Sequence, residues 1–275
     1  MKKKIAFATC VQLGLSCIEA ILSRHKIDLL ITLSDDTAQN KSGRIRLDKI
    51  ANQHKISLLK IKHINDDNVR DELLARGIDW FFIIGWSQIA GEKVIDSVND
   101  GCIGMHPTLL PIGRGRAPIP WTIIKGLSES GVTMFKIDKG VDSGPIIGQK
   151  RFPISANANA TDLYKIANKC HVDLILSYID DIVCGNVRYS EQNNEQATYW
   201  PGRKPDDGEI LETMSVLEAE RLVRALTDPF PGAYFVDLNN NKRINIKSAS
   251  VSAKRGKIKL RDGYLTPIKY SVESL

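Results

Sequence analysis

The chain has 275 residues, 43% of them hydrophobic, which is enough for one large domain with a sizeable core plus a small second one. Its net charge of +6 is mild at this length: it suits a phosphate-bearing substrate and does not demand nucleic acid. The five cysteines (Cys10, Cys17, Cys102, Cys170, Cys184) are scattered without metal-type spacing. The opening MKKKIAFAT is too short in its apolar run for a signal segment, and no stretch reaches membrane-spanning length. These features read as a reduced, soluble, cytoplasmic protein.

Lys4 to Thr9 is predicted as a buried strand, and Leu13 to Arg24 as a helix packed on a sheet. The turn between them, Cys10-Val11-Gln12-Leu13-Gly14, is not GxGxxG, so a dinucleotide-binding reading fails. Gln12 either touches a substrate or merely begins the helix. Strands at Asp28–Leu33 and Leu58–Ile61 alternate with helices at Ile45–His54 and Asp67–Ala75. The run Trp80–Ile84 between Gly77 and Gly85 then reads as a central parallel strand. This alternation predicts a Rossmann-like, doubly wound α/β domain with a mostly parallel sheet.

Gly101–Trp121 (GCIGMHPTLLPIGRGRAPIPW) begins as a buried strand ending at His106. Pro107 and Pro111 stop regular structure, and Gly113 and Gly115 flank Arg114 in a loop. The carboxyl end of a strand is where an open α/β sheet keeps its chemistry. A second segment, GVTMFKIDKGVDSGPII, runs from a strand over Val132–Ile137 into a glycine-bracketed turn holding Asp142. Pro145–Pro153 follows as a strand and Asn159–Cys184 as a long helix stopped by Gly185, after which a polar connector starts at Asn186.

From Ile210 the grammar changes. One helix, Ser215–Thr227, precedes short strand-like pieces at 233–238, 243–250, 257–261 and 265–270, separated by turn signals. Between Lys242 and Arg261 there are eight basic residues and no acidic one, with Lys257, Lys259 and Arg261 alternating with Ile258 and Leu260. Lacking interleaved exposed aromatics, this face reads as solvated rather than as a nucleic-acid surface.

His106, Leu109-Leu110-Pro111, Arg114-Gly115-Arg116-Ala117-Pro118 and Asp142-Ser143-Gly144 occur in the order and spacing of the folate-dependent formyltransferases. Ile84-Gly85-Trp86-Ser87 upstream and Thr198-Tyr199-Trp200 through Gly208 downstream agree as well. The chain resembles that family, and most closely its nucleotide-sugar N-formyltransferases. The resemblance implies a catalytic domain over 1–204, including the connector from 186, and a small OB-like β-rich domain over 205–275. It implies His106 and Asp142 as catalytic residues. A pocket for N10-formyltetrahydrofolate would lie around Ile84, Trp86, Gln88, Arg114, Gly115, Ile137, Asp138 and Val141, with the acceptor near Gln12, Thr108, Tyr199 and Trp200. For Tyr199, Trp200 and Arg203, plain packing is the competing reading.

The expected acceptor is a nucleotide-linked amino-deoxysugar in surface glycan biosynthesis, with no nucleic acid or membrane partner and a possible homodimer. Methionyl-tRNA formyltransferase is the alternative, and a module that has lost catalysis is a third. One departure stands out: Gly104 replaces the family's Asn, an oxyanion donor. The missing side chain is expected to leave room for a water or an acceptor group, with His106, a backbone N–H, Gln88 or Thr108 donating instead.

Overall fold

The computed structural model describes residues 2–37 and 43–274. Nine elements build the first part: β1 (Ile5–Ala8), α1 (Gln12–Leu22), β2 (Leu29–Leu33), α2 (Asp48–His54), β3 (Ser57–Ile61), α3 (Asp67–Arg76), β4 (Trp80–Ile83), α4 (Glu92–Ile95) and β5 (Gly101–His106). There follow β6 (Arg114–Gly115), α5 (Pro118–Ile124), β7 (Glu129–Lys136), β8 (Ile146–Pro153), α6 (Ala160–Cys184) and β9 (Tyr199–Trp200).

The central sheet has the order β3-β2-β1-β4-β5-β7-β8. The first five of these strands are parallel, and β7 runs antiparallel to β5. Strands β1, β2, β4 and β5 are buried along their whole length, as apolar runs covered on both faces should be. Phe7 and Phe82, on adjacent strands, stack at 5.9 Å. The chain first steps outward from β1 to β3 and then returns through β4, so β5 opens its carboxyl end beside the point where the winding reverses.

Past the expected loop around Arg114, α5 begins at Pro118, a helix that the sequence did not announce. Its prolines, Pro118 and Pro120, fall in the first turn, where a helix has no use for the missing N–H groups, while Ile119 and Ile123 are buried.

Beyond the connector come α7 (Val216–Ala225), β10 (Ala233–Asp237), β11 (Lys242–Ser252), β12 (Ile258–Leu260) and β13 (Gly263–Ser274). A capping box starts α7: Ser215 Oγ accepts from Glu218 N–H at 3.2 Å and the Glu218 carboxylate accepts from Ser215 N–H at 2.7 Å. The four strands form an antiparallel sheet ordered β10-β11-β13-β12, the small β-rich domain expected. Ile258 and Leu260 turn inward, and Lys257 and Lys259 are exposed. An exposed aromatic does accompany them: Tyr270 lies beneath the Lys257 ammonium, 5.3 Å from ring centre to nitrogen.

The chain forms two compact units that interleave in sequence. One takes residues up to Arg114, Gly131–Arg151 and Ala167–Tyr199; the other takes Gly115–Ser130, Phe152–Ile166 and Trp200 onward. Within the second of these, α5 packs on α7 and Arg224 donates to Ala158 O at 2.6 Å. Cys10, Cys17, Cys102 and Cys170 are buried thiols, and Cys184, at the end of α6, is exposed. Among the described residues no helix is long and apolar enough to cross a membrane.

Candidate active site

Strand alternation puts Cys102, Gly104 and His106 of β5 on one face. Cys102 is sealed in a core cluster with Ala6, Ala8, Ile31, Phe81 and Ile83, while His106 stands at the strand's end, 7% exposed. Pro107 ends the strand and the following loop turns back, its Leu110–Pro111 peptide cis. This return brings the Gly113 carbonyl 2.8 Å from His106 Nε2. Both sides of the loop are fixed. Thr133 Oγ1 donates to Thr108 O at 2.8 Å and accepts from Leu110 N–H at 3.1 Å; on the other side Gly113 N–H donates to Thr198 Oγ1 at 2.8 Å.

A carbonyl can only accept, so the His106 proton sits on Nε2 and the neutral ring presents a lone pair at Nδ1. Nδ1 faces Asp142 Oδ2 at 3.6 Å. A lone pair facing a carboxylate becomes an attractive contact once Nδ1 takes a proton. Such an arrangement can accept a proton at Nδ1 and hold the resulting imidazolium between a carboxylate and a carbonyl.

Asp142 lies in a turn that admits little variation. Asp138 folds inward, its Oδ1 accepting from Gly140 N–H at 3.0 Å and from Ser143 Oγ at 2.8 Å. A Cβ at Gly144 would run into the Lys136 carbonyl, which explains the glycine. Asp142 itself has φ +52°, in the left-handed region. From the connector, Gln192 donates through Nε2 to Asp142 O at 2.9 Å and to Gly144 O at 2.7 Å. Its Oε1 accepts from Arg114 Nε at 3.1 Å and Nη2 at 2.7 Å. Nothing in the sequence pointed to Gln192, which sits in a polar stretch with no periodicity.

The other expected site residues fall into distinct positions. Arg114 is 2% exposed and directs its guanidinium at Gln192, Asn194 and Tyr199 rather than outward. Ile84 is fully buried, leaving only its backbone to meet a ligand. Gly115 owes its place to Trp200: a Cβ there would strike the Trp200 carbonyl, and Trp200 is itself 6% exposed. Gln88 is occupied away from His106, its Oε1 accepting from Ile64 N–H at 2.8 Å and its Nε2 donating to Lys62 O at 3.0 Å. Trp86 and Ile137 are half-buried against the same core cluster, and Val141 is 43% exposed in the Asp142 turn. Gln12 is exposed at the start of α1, and Tyr199 is 62% exposed. Thr108 Oγ1 is buried without a hydrogen-bond partner, two residues past His106.

The space expected at Gly104 is not there. In the β5–β7 register Gly104 faces Phe135, and a Cβ on Gly104 would lie 2.9 Å from Phe135 Cζ and 3.1 Å from Ile137 Cγ1. The buried ring fills the volume that a side chain, a water or an acceptor group was expected to take.

A second histidine, His171 on α6, is 1% exposed and donates from Nδ1 to Ala167 O at 2.7 Å. Burial, with a smaller contribution from the charge of His106, pushes its pKa down to about 4. Below the ordinary histidine value near 6.5 the unfolded chain binds a proton that the folded chain refuses, so stability falls as pH drops from about 6.5 to about 4. Between pH 7 and pH 5 the expected loss is about 2 kcal/mol. Urea unfolding of His171→Gln at the two pH values should lose less than the parent; equal losses would remove His171 as the cause.

The fold is thus a doubly wound α/β sheet that brings a buried histidine and a carboxylate together at one strand's carboxyl end, the place where such sheets keep their sites. The chain belongs to the formyl transferase family, whose pattern matches residues 5–179, with the formyl transferase C-terminal domain matching 203–268. It is 31% identical over 237 residues to the methionyl-tRNA formyltransferase of Thermodesulfovibrio yellowstonii, covering 85% of this chain and 76% of that one. Among solved structures, a 4-N formyltransferase from Francisella tularensis is 26% identical over 87% of this chain and 94% of its own, with a TM-score of 0.69. An N-formyltransferase from Helicobacter canadensis, solved with folinic acid and dTDP-3-aminofucose, superposes over 100% of this chain and 99% of its own, with a TM-score of 0.73 at 20% identity. The protein is a formyl-transferring enzyme that uses N10-formyltetrahydrofolate as its donor.

Proposed function

We propose that the acceptor is the amine of a nucleotide-linked amino-deoxysugar, with His106 and Asp142 as the catalytic pair. His106 takes at Nδ1 the proton that the amine loses as it attacks, and Asp142, 3.6 Å away, balances the charge that then sits on the ring. The folate fits the half-buried Trp86 and Ile137 and the exposed Val141, which offer apolar surface beside the 137–141 segment. Gln88 is held away and Gly104 is filled, so the oxyanion donors left near His106 are its own protonated ring, the Thr108 hydroxyl and backbone N–H groups.

The observation that carries the choice of acceptor is charge. Residues 205–275 hold 11 basic and 10 acidic side chains, nearly neutral, where a tRNA-binding domain needs an excess of cations to displace counterions. The Helicobacter structure, solved with dTDP-3-aminofucose, is in keeping with this reading.

Methionyl-tRNA is the second reading, favoured by the 31% identity to the Thermodesulfovibrio enzyme and by Tyr270 beneath Lys257. Labelled formyl transfer decides between them, run in parallel on dTDP-linked 3-amino and 4-amino sugars and on methionyl initiator tRNA. The expected result is formylated sugar with little salt dependence. Transfer to the tRNA alone, with kcat/KM falling steeply as salt rises, would replace the sugar reading with the second.

A further inference from the structure

We propose that Gln192 is the positioning residue for Asp142: its carboxamide clamps the turn that carries the carboxylate, and the buried guanidinium of Arg114 fixes the clamp. This rests on the reading of His106 and Asp142 as the proton-transfer pair. Asp142 occupies the left-handed region at φ +52°, a conformation a residue with a Cβ holds only when its surroundings impose it. The imposing contacts are the two donations from Gln192 Nε2, to Asp142 O at 2.9 Å and to Gly144 O at 2.7 Å, one on each side of Ser143.

The orientation of the amide is unambiguous. Carbonyl oxygens accept and a guanidinium donates, so nitrogen must face the turn and oxygen must face Arg114. Gln192 is 7% exposed and Arg114 2%, so neither contact is loosened by solvent. The Arg114 guanidinium meets neutral acceptors here: Gln192, Asn194 Oδ1 at 2.7 Å and Tyr199 OH at 3.0 Å. A cation on the oxygen side polarises the carboxamide and strengthens the two N–H donations on the other. Arg114 thus acts on the site through Gln192, at one remove from any ligand.

Gln192→Glu tests this with almost no change of shape. Glutamate keeps an oxygen for Arg114 but has no N–H for the two carbonyls. In the free enzyme the 15N resonances of the His106 ring sense Asp142, and Asp142→Asn supplies the reference shift. Gln192→Glu should move the His106 resonances in the same direction as Asp142→Asn. It should also lower kcat on the order of 10- to 100-fold, with KM for N10-formyltetrahydrofolate within about twofold. The Gln192→Glu/Asp142→Asn double variant should be no slower than Asp142→Asn alone.

Gln192→Met, which adds no charge and leaves Arg114 its bonds to Asn194 and Tyr199, is read in the same way and stands in if the glutamate variant does not fold. His106 resonances unchanged in a folded variant, or losses that multiply in the double variant, would overturn the proposal. If Asp142→Asn itself left kcat intact, the reading of the catalytic pair would fail. The ring resonances would still report whether Gln192 sets the turn.

Discussion

His106→Ala should lower kcat by about 10³-fold or more, Asp142→Ala by nearly as much, and the double variant by little beyond the worse single. The reason is the geometry at the ring. Gly113 O accepts the hydrogen bond from Nε2–H, leaving Nδ1 as the basic nitrogen of the ring, and Nδ1 is the atom that faces Asp142. Without the carboxylate a protonated ring would sit buried with one compensating partner. Without the ring the carboxylate has nothing to stabilise. Removing either member therefore removes one function, and steady-state kcat for the three variants checks it. Losses that multiply would mean the two residues act separately.

The second large effect is on folding. Gly104→Asn restores the residue that the family pattern carries, yet here it should destabilise the protein by about 2–5 kcal/mol. Of this, overpacking against Phe135 and Ile137 accounts for about 1–3 kcal/mol, and a buried amide lacking partners for the rest. Thermal unfolding should move down by roughly 4–20 °C, and kcat should not rise. Adding Phe135→Leu to Gly104→Asn should recover part of the loss, because the ring is the nearest obstacle at 2.9 Å. An unchanged melting temperature for Gly104→Asn, or a faster enzyme, would show that the ring yields easily and that the site beneath it is open.

What the sequence made legible and what it hid follow from the range of the interactions. His106 and Asp142 were readable because each is announced by its own neighbours: an apolar run broken by Pro107 in one case, and a glycine-bracketed turn in the other. The parallel sheet was readable from uninterrupted apolar segments. The filling of Gly104 was not, since it depends on the antiparallel register of β5 and β7, in which Gly104 meets Phe135 across a connection of some thirty residues. Arg114 looked like a ligand-facing cation because of its glycine neighbours. Its burial is set by Gln192 and Asn194, nearly eighty residues away in a stretch without a periodic signal. Gln88 was drawn off for the same kind of reason, by the backbone of Lys62 and Ile64. Local pattern marked the candidate pair; Gln192, which holds the Asp142 turn, is distant in sequence.

The distribution of thiols has a practical side. Four of the five are buried, and burial drives the Cys102 thiol up to about 12 and that of Cys17 higher still, so neither offers a thiolate to a reagent. Cys184 alone stands exposed, where α6 ends and Gly185 turns the chain. A maleimide dye or spin label given to the folded protein is thereby directed to one defined point on a long helix, without engineering a single residue. That helix also carries the buried His171, thirteen positions earlier, so a reporter attached there stands on the element that holds a second buried histidine.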